Sequence, residues 1–285
     1  MESSVVTNLL LPLALGVVML GLGLSLTTED FARVIRYPKA VLIGLATQTI
    51  VLVAVAFALT QLFALPPELA VGLMLLAASP GGATANIYSH LAHGDVALNI
   101  TLTAINSALA LVTLPLIVNF ALGHFLDQQQ YVPPPTRKIV EVAAIIVIPV
   151  LIGMVLRASR PQAAARLEKP IRIFAVVVLL AVILAAIGAE WQRLPGFIAA
   201  VGAACLAFNL LSIGIGYGLP RLLRLPRSQS IAISMEIGIH NGTLAIFIAL
   251  NVLQNAQMSI PAAVYSIIMF FTAGAFAYGL NLRKK

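Results

Sequence analysis

Two apolar stretches in this chain carry polar residues where a bilayer would have none. The first, Val71 to Ala92, is interrupted by Ser79-Pro80-Gly81-Gly82 and followed by Thr84 and Asn86. The second, Ile231 to Leu253, contains Glu236-Ile237-Gly238-Ile239-His240-Asn241-Gly242. Glu236 is the only acidic residue deep in an apolar stretch. An ionisable group there costs at least about 2.5 kcal/mol and marks a functional site by default. The plain alternative is a neutral glutamic acid bonded to a neighbour. Thr243 follows in the same stretch, Gln48 lies in another, and Asn99, Thr103 and Asn106 recur at i, i+4, i+7 on one helical face. Apart from His240, these groups are hard oxygen donors. A carboxylate among amide, hydroxyl and carbonyl oxygens suits a hard cation such as sodium, not a transition metal. Each break also starts a second half-helix at membrane depth. Its N-terminus favours an anion, while the carbonyls ending the first half favour a cation.

The elements that position these residues follow from composition. Of 285 residues, 60% are hydrophobic and 9% charged, with a mean hydropathy of +1.02. A soluble domain carries about 25% charge. A bilayer-spanning helix needs roughly 20 apolar residues, and the chain divides into nine such stretches: 6–26, 40–63, 70–92, 96–122, 139–156, 171–189, 197–219, 230–253 and 262–282. The expected fold is therefore all-α and polytopic, with about nine transmembrane helices. The Met1-Glu2-Ser3-Ser4 start lacks the basic n-region of a signal peptide, so the first stretch reads as a span. The proline-rich connector Gln128 to Pro135 separates spans four and five. Gly214-Ile215-Gly216-Tyr217-Gly218 has the small-xxx-small spacing of close helix packing. The single cysteine, Cys205, excludes an intramolecular disulfide.

The net charge of +7 belongs to topology and not to nucleic acid. Fourteen of the seventeen lysines and arginines fall in alternate loops: Arg33 to Lys39, Arg157 to Arg172, Arg221 to Arg227, and Arg283 to Lys285. Arg137, Lys138 and Arg193 fall in the opposite set. The positive-inside rule then predicts a cytoplasmic C-terminus and an external N-terminus in an inner (plasma) membrane, the compact loops suggesting a bacterial one. Spans three and eight run in opposite directions, as in an inverted repeat with span five unpaired. His90, His93 and His124 fall at span ends, where the interface solvates them.

At these residues the chain resembles the bile acid:sodium symporter family. The matching stretches are Ser79 to Asn86, Gly94-Asp95-Val96-Ala97-Leu98, and Glu236 to Asn241, with a looser likeness over Gly21 to Lys39. The resemblance runs nearly end to end and fits the nine-span form. It implies two discontinuous helices that cross at their breaks. It also implies a core domain (about 40–122 and 197–282) moving against a panel domain (about 6–26 and 139–189). Carried over, the first sodium site uses Ala85, Asn86, Asn99, Thr103 and Glu236. The second uses Gln48, Glu236, Ile237, Ile239 and His240. His240 stands where relatives usually have glutamine, and Ala85 and Asn99 where they often have serine. The substrate side maps to Ala83, Thr84, Asn241 and Gly242. The implied protein is not an enzyme. It is a monomeric secondary transporter that couples one or two sodium ions to an organic anion, bile-salt-like or a small carboxylate such as pantoate. In one alternative a proton replaces a sodium ion, with His240 standing in for the second site. A remote alternative is an intramembrane metal-dependent hydrolase built on Glu236 and His240.

Overall fold

Punctuation residues set where the helices start and stop. The computed structural model describes residues 11–82, 84–126, 136–167, 169–171, 173–174, 177, 181 and 194–282. The first helices are α1 (Leu11–Ser25), α2 (Thr28–Arg36) and α3 (Pro38–Ala46). A π turn, Thr47–Val51, leads into α4 (Leu52–Leu62). Then come α5 (Pro67–Ala78), α6 (Ala85–Leu91), α7 (Val96–Phe125), α8 (Thr136–Ser159) and α9 (Leu194–Leu222). The chain closes with α10 (Arg227–Gly238), α11 (Gly242–Phe247), a second π turn (Ile248–Val252) and α12 (Ile260–Leu282). Pro38 and Pro67 open their helices, where a missing N–H costs nothing. Asp95 caps α7 by accepting from Leu98 N–H at 3.0 Å. Among the described residues there is no strand, only a single antiparallel bridge between Gly81 and His240.

Four helices are each long and apolar enough to cross a bilayer: Pro38–Leu62, Val96–Phe125, Val201–Leu222 and Gln257–Leu282. The bent pair Leu15–Ser25 and Thr28–Arg36, turning by 59°, would make a fifth. The stretches expected as spans three and eight are each divided into two short helices. The stretch expected as span six lies mostly outside the described residues, as do the 128–135 connector and both chain ends.

Helix α2 is absent from the sequence reading, which takes 27–39 as a loop. Its cause is local. Asp30, buried, accepts from Thr27 N–H at 2.7 Å and from Thr27 Oγ1 at 2.8 Å, and it pairs with Arg33. A carboxylate in the first turn satisfies amides that a helix start leaves open.

The turns recur along the chain. Ala64 and Arg224 both adopt positive φ, 45° and 62°. Leu65 N–H returns to Thr60 O at 3.0 Å, and Leu225 N–H to Pro220 O at 2.9 Å. Asp95 accepts from Leu98 N–H, and Asn255 from Met258 N–H at 3.3 Å. In each comparison the second member lies 160 residues after the first. Side-chain identity between these segments is low, yet their backbone hydrogen bonds correspond.

Packing orders the helices around the two broken ones. Residues Leu69 to Ala78 of α5 and Ser230 to Gly238 of α10 are buried on every face. An apolar circumference suits α5 to the interior, whereas α10 buries polar groups that find partners, Ser234 Oγ donating to Ile213 O at 2.8 Å. Helix α1 packs chiefly on α8, at backbone contact: a Cβ on Gly23 would fall 2.2 Å from Val150 O. Helix α9 packs on α10 and α12, and α5 on α7. The glycine spacing in α9 acts differently from expectation. Added carbons at Gly214 and Gly218 would meet nothing within 4 Å, whereas one at Gly216 would fall 2.8 Å from Ser234 Cα. The close approach is made by the middle glycine, because that is the one on the α10 side.

Candidate functional site

The site grows from two places where helices stop. Helix α5 ends at Ala78 because Pro80 cannot donate an amide, and α6 starts only at Ala85. Helix α10 ends at Gly238, and α11 starts at Gly242. The intervening strands of backbone satisfy each other. Gly82 N–H donates to Ile239 O at 2.7 Å, and Asn241 N–H to Pro80 O at 2.8 Å. In a continuous helix Asn241 N–H would bond Ile237 O. Irregular backbone at membrane depth needs partners of this kind.

Glu236 is fully buried beside this crossing. Thr103 Oγ1 donates to its Oε2 at 2.5 Å, and Asn106 Nδ2 to its Oε1 at 3.3 Å. No cation side chain pairs with the carboxylate among the described residues. A Cβ on Gly81 would stand 2.2 Å from Oε1, so only glycine lets the carboxylate lie against the break.

Three amide side chains near the crossing bond through nitrogen and leave their oxygen unmet, and a fourth, Asn86, also has an unmet oxygen. Gln48 Nε2 donates to Ser79 O at 3.0 Å and lies 3.3 Å from Ala77 O. Asn99 Nδ2 donates to Ala232 O at 2.7 Å. Asn106 Nδ2 is held by Glu236. Yet Oε1 of Gln48 and Oδ1 of Asn86, Asn99 and Asn106 are all buried without a partner. A buried acceptor left unmade costs about 1–3 kcal/mol. These unmet oxygens sit on elements packed at the crossing that holds the carboxylate, and a hard cation meets a demand of that kind.

His240 takes a separate position. Its Nδ1 lies 3.1 Å from Ser79 O, so that nitrogen carries a hydrogen and donates, while Nε2 is buried without a partner. The ring stacks on Phe208 (5.6 Å between centroids) and meets Tyr265 edge-on (5.3 Å). Its hydrogen-bond partner is thus Ser79 and not Glu236. Gln48 stands against the same Ser79 carbonyl, which joins these two residues of the inferred second site. Ile237 and Ile239 are buried at the end of α10. Behind them Gly238 O accepts from Asn209 Nδ2 and Tyr265 Oη, each at 2.9 Å.

The remaining expected residues are more scattered. Ala85 is buried in the first turn of α6 and Thr84 is half-buried just before it. Ala83 lies outside the described residues. Asn241 caps α11, its Oδ1 accepting from Leu244 N–H at 3.0 Å, and Gly242 is closed over by Ser266. A partly open apolar cleft lies next to the crossing. Pro80 and Leu244 line it, with Met19 of α1, Ile146 of α8, and Ser107, Ala110, Leu111 and Leu114 of α7.

Sequence reading missed three participants. Asn106 falls on the shared face of α7 in sequence, but the resemblance supplies no role for it. Gly81 reads in sequence only as a helix breaker. The π turn that carries Gln48 left no signal beyond the Thr47-Gln48-Thr49 polar triplet, whose threonines bond carbonyls four residues back. Such turns recur at functional sites.

The model of the Sodium Bile acid symporter family matches residues 12–194. An uncharacterized sodium-dependent transporter of Bacillus subtilis (strain 168) is 26% identical over 254 residues, covering 89% of this chain and 77% of that one. A probable chloroplastic sodium/metabolite cotransporter of Oryza sativa subsp. japonica is 27% identical over 271 residues, 94% of this chain and 63% of that one. The P3 protein of Bos taurus is 31% identical over 224 residues, 79% of this chain and 47% of its own. The chain therefore spans about half to three quarters of the length of these relatives.

Proposed function

The chain belongs to the sodium bile acid symporter family, and from that premise we propose that it is a secondary transporter in which a sodium gradient drives an organic anion across the bilayer by alternating access. The observation that carries this reading is the buried Glu236 carboxylate, set among unpartnered amide oxygens at the crossing of two broken helices. Sodium bound there would satisfy oxygens contributed by α6, α7 and α10 together. Binding the ion thereby ties the two breaks to the helix that lines the cleft. The first site takes Asn86, Asn99, Thr103 and Glu236, with the Ala85 carbonyl. The second takes Gln48, His240, Glu236 and the carbonyls near Ile237 and Ile239. Thr84, Asn241 and Gly242, with Ala83, form the substrate side of the crossing. The anion is bile-salt-like or a small carboxylate such as pantoate.

The architecture we propose is nine spans in an inverted repeat. The matching turns 160 residues apart and the antiparallel pairing of the breaks support it. Spans one, five and six would form the panel, and the rest the core. The α1–α8 pairing is in keeping with that division. With basic loops inside, the cleft between these groups opens outward, since it lies along the half of α7 beyond Ser107. The hydrolase reading requires a third strong ligand. Among the described residues no group of three His, Cys, Asp or Glu side chains is suitably arranged.

The test is uptake into proteoliposomes of labelled pantoate, pyruvate and taurocholate. Accumulation of one of them under an inward sodium gradient, lost when potassium replaces sodium, is the expected result. Accumulation driven equally by a proton gradient without sodium would overturn the sodium reading. Within the same assay, Asn86→Ala and Thr103→Val each raise the half-saturating sodium concentration roughly tenfold, the effect of about 1.4 kcal/mol of lost coordination. The maximal rate changes less. An unchanged sodium requirement with a lost rate would assign both residues a purely structural role.

A further inference from the structure

Asn106 bonds the buried carboxylate, its neighbour Ser107 lines the cleft, and its two amide ends differ. Nδ2 donates to Glu236 Oε1 at 3.3 Å. Oδ1 is buried without a partner, on a residue only 3% exposed. Turning the amide over offers no relief, because Oδ1 would then face the carboxylate, acceptor against acceptor. The unmet group is therefore an oxygen, held beside the Glu236 carboxyl group. An apolar neighbour cannot satisfy it, and a cation attracted by Glu236 can. The next residue, Ser107, lines the cleft and has its own Oγ buried without a partner.

Building on the sodium reading above, we propose that Asn106 Oδ1 is a further ligand of the coupling cation. Occupancy of the ion site is then felt directly at the substrate wall, because the residue that closes the ion's coordination adjoins Ser107 on the same turn of α7. The donor Nδ2 orients the amide and the acceptor Oδ1 binds the ion.

Two substitutions separate ligation from orientation. Asn106→Ala removes both ends. Asn106→Asp keeps an oxygen ligand but loses the Nδ2 donor. Each is measured as the thermal stabilisation of purified full-length protein by sodium chloride over potassium chloride. Wild-type protein that ignores sodium would remove the sodium reading itself. Given a wild-type response, Asn106→Ala is expected to raise the half-maximal sodium concentration at least about tenfold. Asn106→Asp is expected to keep it within about threefold of wild type, or lower it. A wild-type response from Asn106→Ala overturns the proposal. So does an equal loss in both variants, which would mean that Asn106 acts through its donor alone. If Asn106→Ala fails to fold, Asn106→Asp and Asn106→Ser decide: the aspartate retaining affinity and the serine losing it supports ligation, and the reverse refutes it. A second readout follows the cleft. Alkylation of Ser107→Cys, in a Cys205→Ala background, is expected to change at least about threefold with sodium. The change should vanish when Asn106→Ala is added, and its persistence there counts against the link.

Discussion

Glu236→Gln is expected to abolish sodium-driven uptake while leaving the protein folded and inserted. The reasoning starts from the number of groups that depend on this carboxylate. Thr103 and Asn106 both donate to it, and Gly81 lies directly against it. Glutamine keeps the shape and one oxygen, so the crossing can still pack. It removes the charge that would attract a cation and turns one acceptor into a donor. Removing one partner of a buried ionic interaction costs about 3–5 kcal/mol, or roughly a hundredfold or more in affinity. At ordinary sodium concentrations that loss is complete for transport. Uptake assays and sodium-dependent thermal stabilisation should therefore fail together, while the melting temperature in potassium stays near or above that of wild type. A neutral side chain is cheaper to bury than a carboxylate. Uptake that persists with an unchanged sodium requirement would mean that another group couples the ion.

The sequence carried the polar constellation because each of its parts violates a rule at a known depth. A carboxylate, a proline and paired glycines inside apolar stretches are visible without coordinates, since lipid makes them costly. The helical character, the breaks in the third and eighth stretches and the family were legible for that reason. What was not legible depends on which side of a helix a small residue faces. Gly214, Gly216 and Gly218 are alike in sequence, yet only Gly216 meets the backbone of α10. Helix α2 escaped notice because its start depends on one carboxylate folding back onto Thr27, a bond that hydropathy does not register. The π turns escaped because the shift of about 100° made by one extra residue leaves no mark on a stretch apolar on nearly every face. Asn106 differs again. Its place on the Asn99–Thr103 face was plain, but only the coordinates separate its satisfied nitrogen from its unsatisfied oxygen.

Gly81→Ala is expected to have the other large effect, because its Cα is the floor on which the carboxylate lies. The added methyl would fall 2.2 Å from Oε1, 2.3 Å from Cδ and 2.6 Å from Oε2 of Glu236. None of these can move aside freely. The carboxylate is held by Thr103 and Asn106, and Gly81 itself pairs with His240 across the break. Overpacking of a fixed interior typically costs about 1–3 kcal/mol. Here the strain must be relieved either by separating the two breaks or by turning Glu236 away from its donors. Both routes dismantle the proposed first cation site. Sodium affinity should fall by about tenfold or more, together with a loss of thermal stability in potassium. That second loss distinguishes this variant from Glu236→Gln, which should lose sodium binding alone. Gly123→Ala is the matched control: an added carbon there meets nothing within 4 Å, so stability should stay within about 0.5 kcal/mol of wild type or rise slightly. Normal sodium binding by Gly81→Ala would mean that Glu236 has room to leave its place against the break. The carboxylate would then no longer be the fixed centre on which the coupling argument depends.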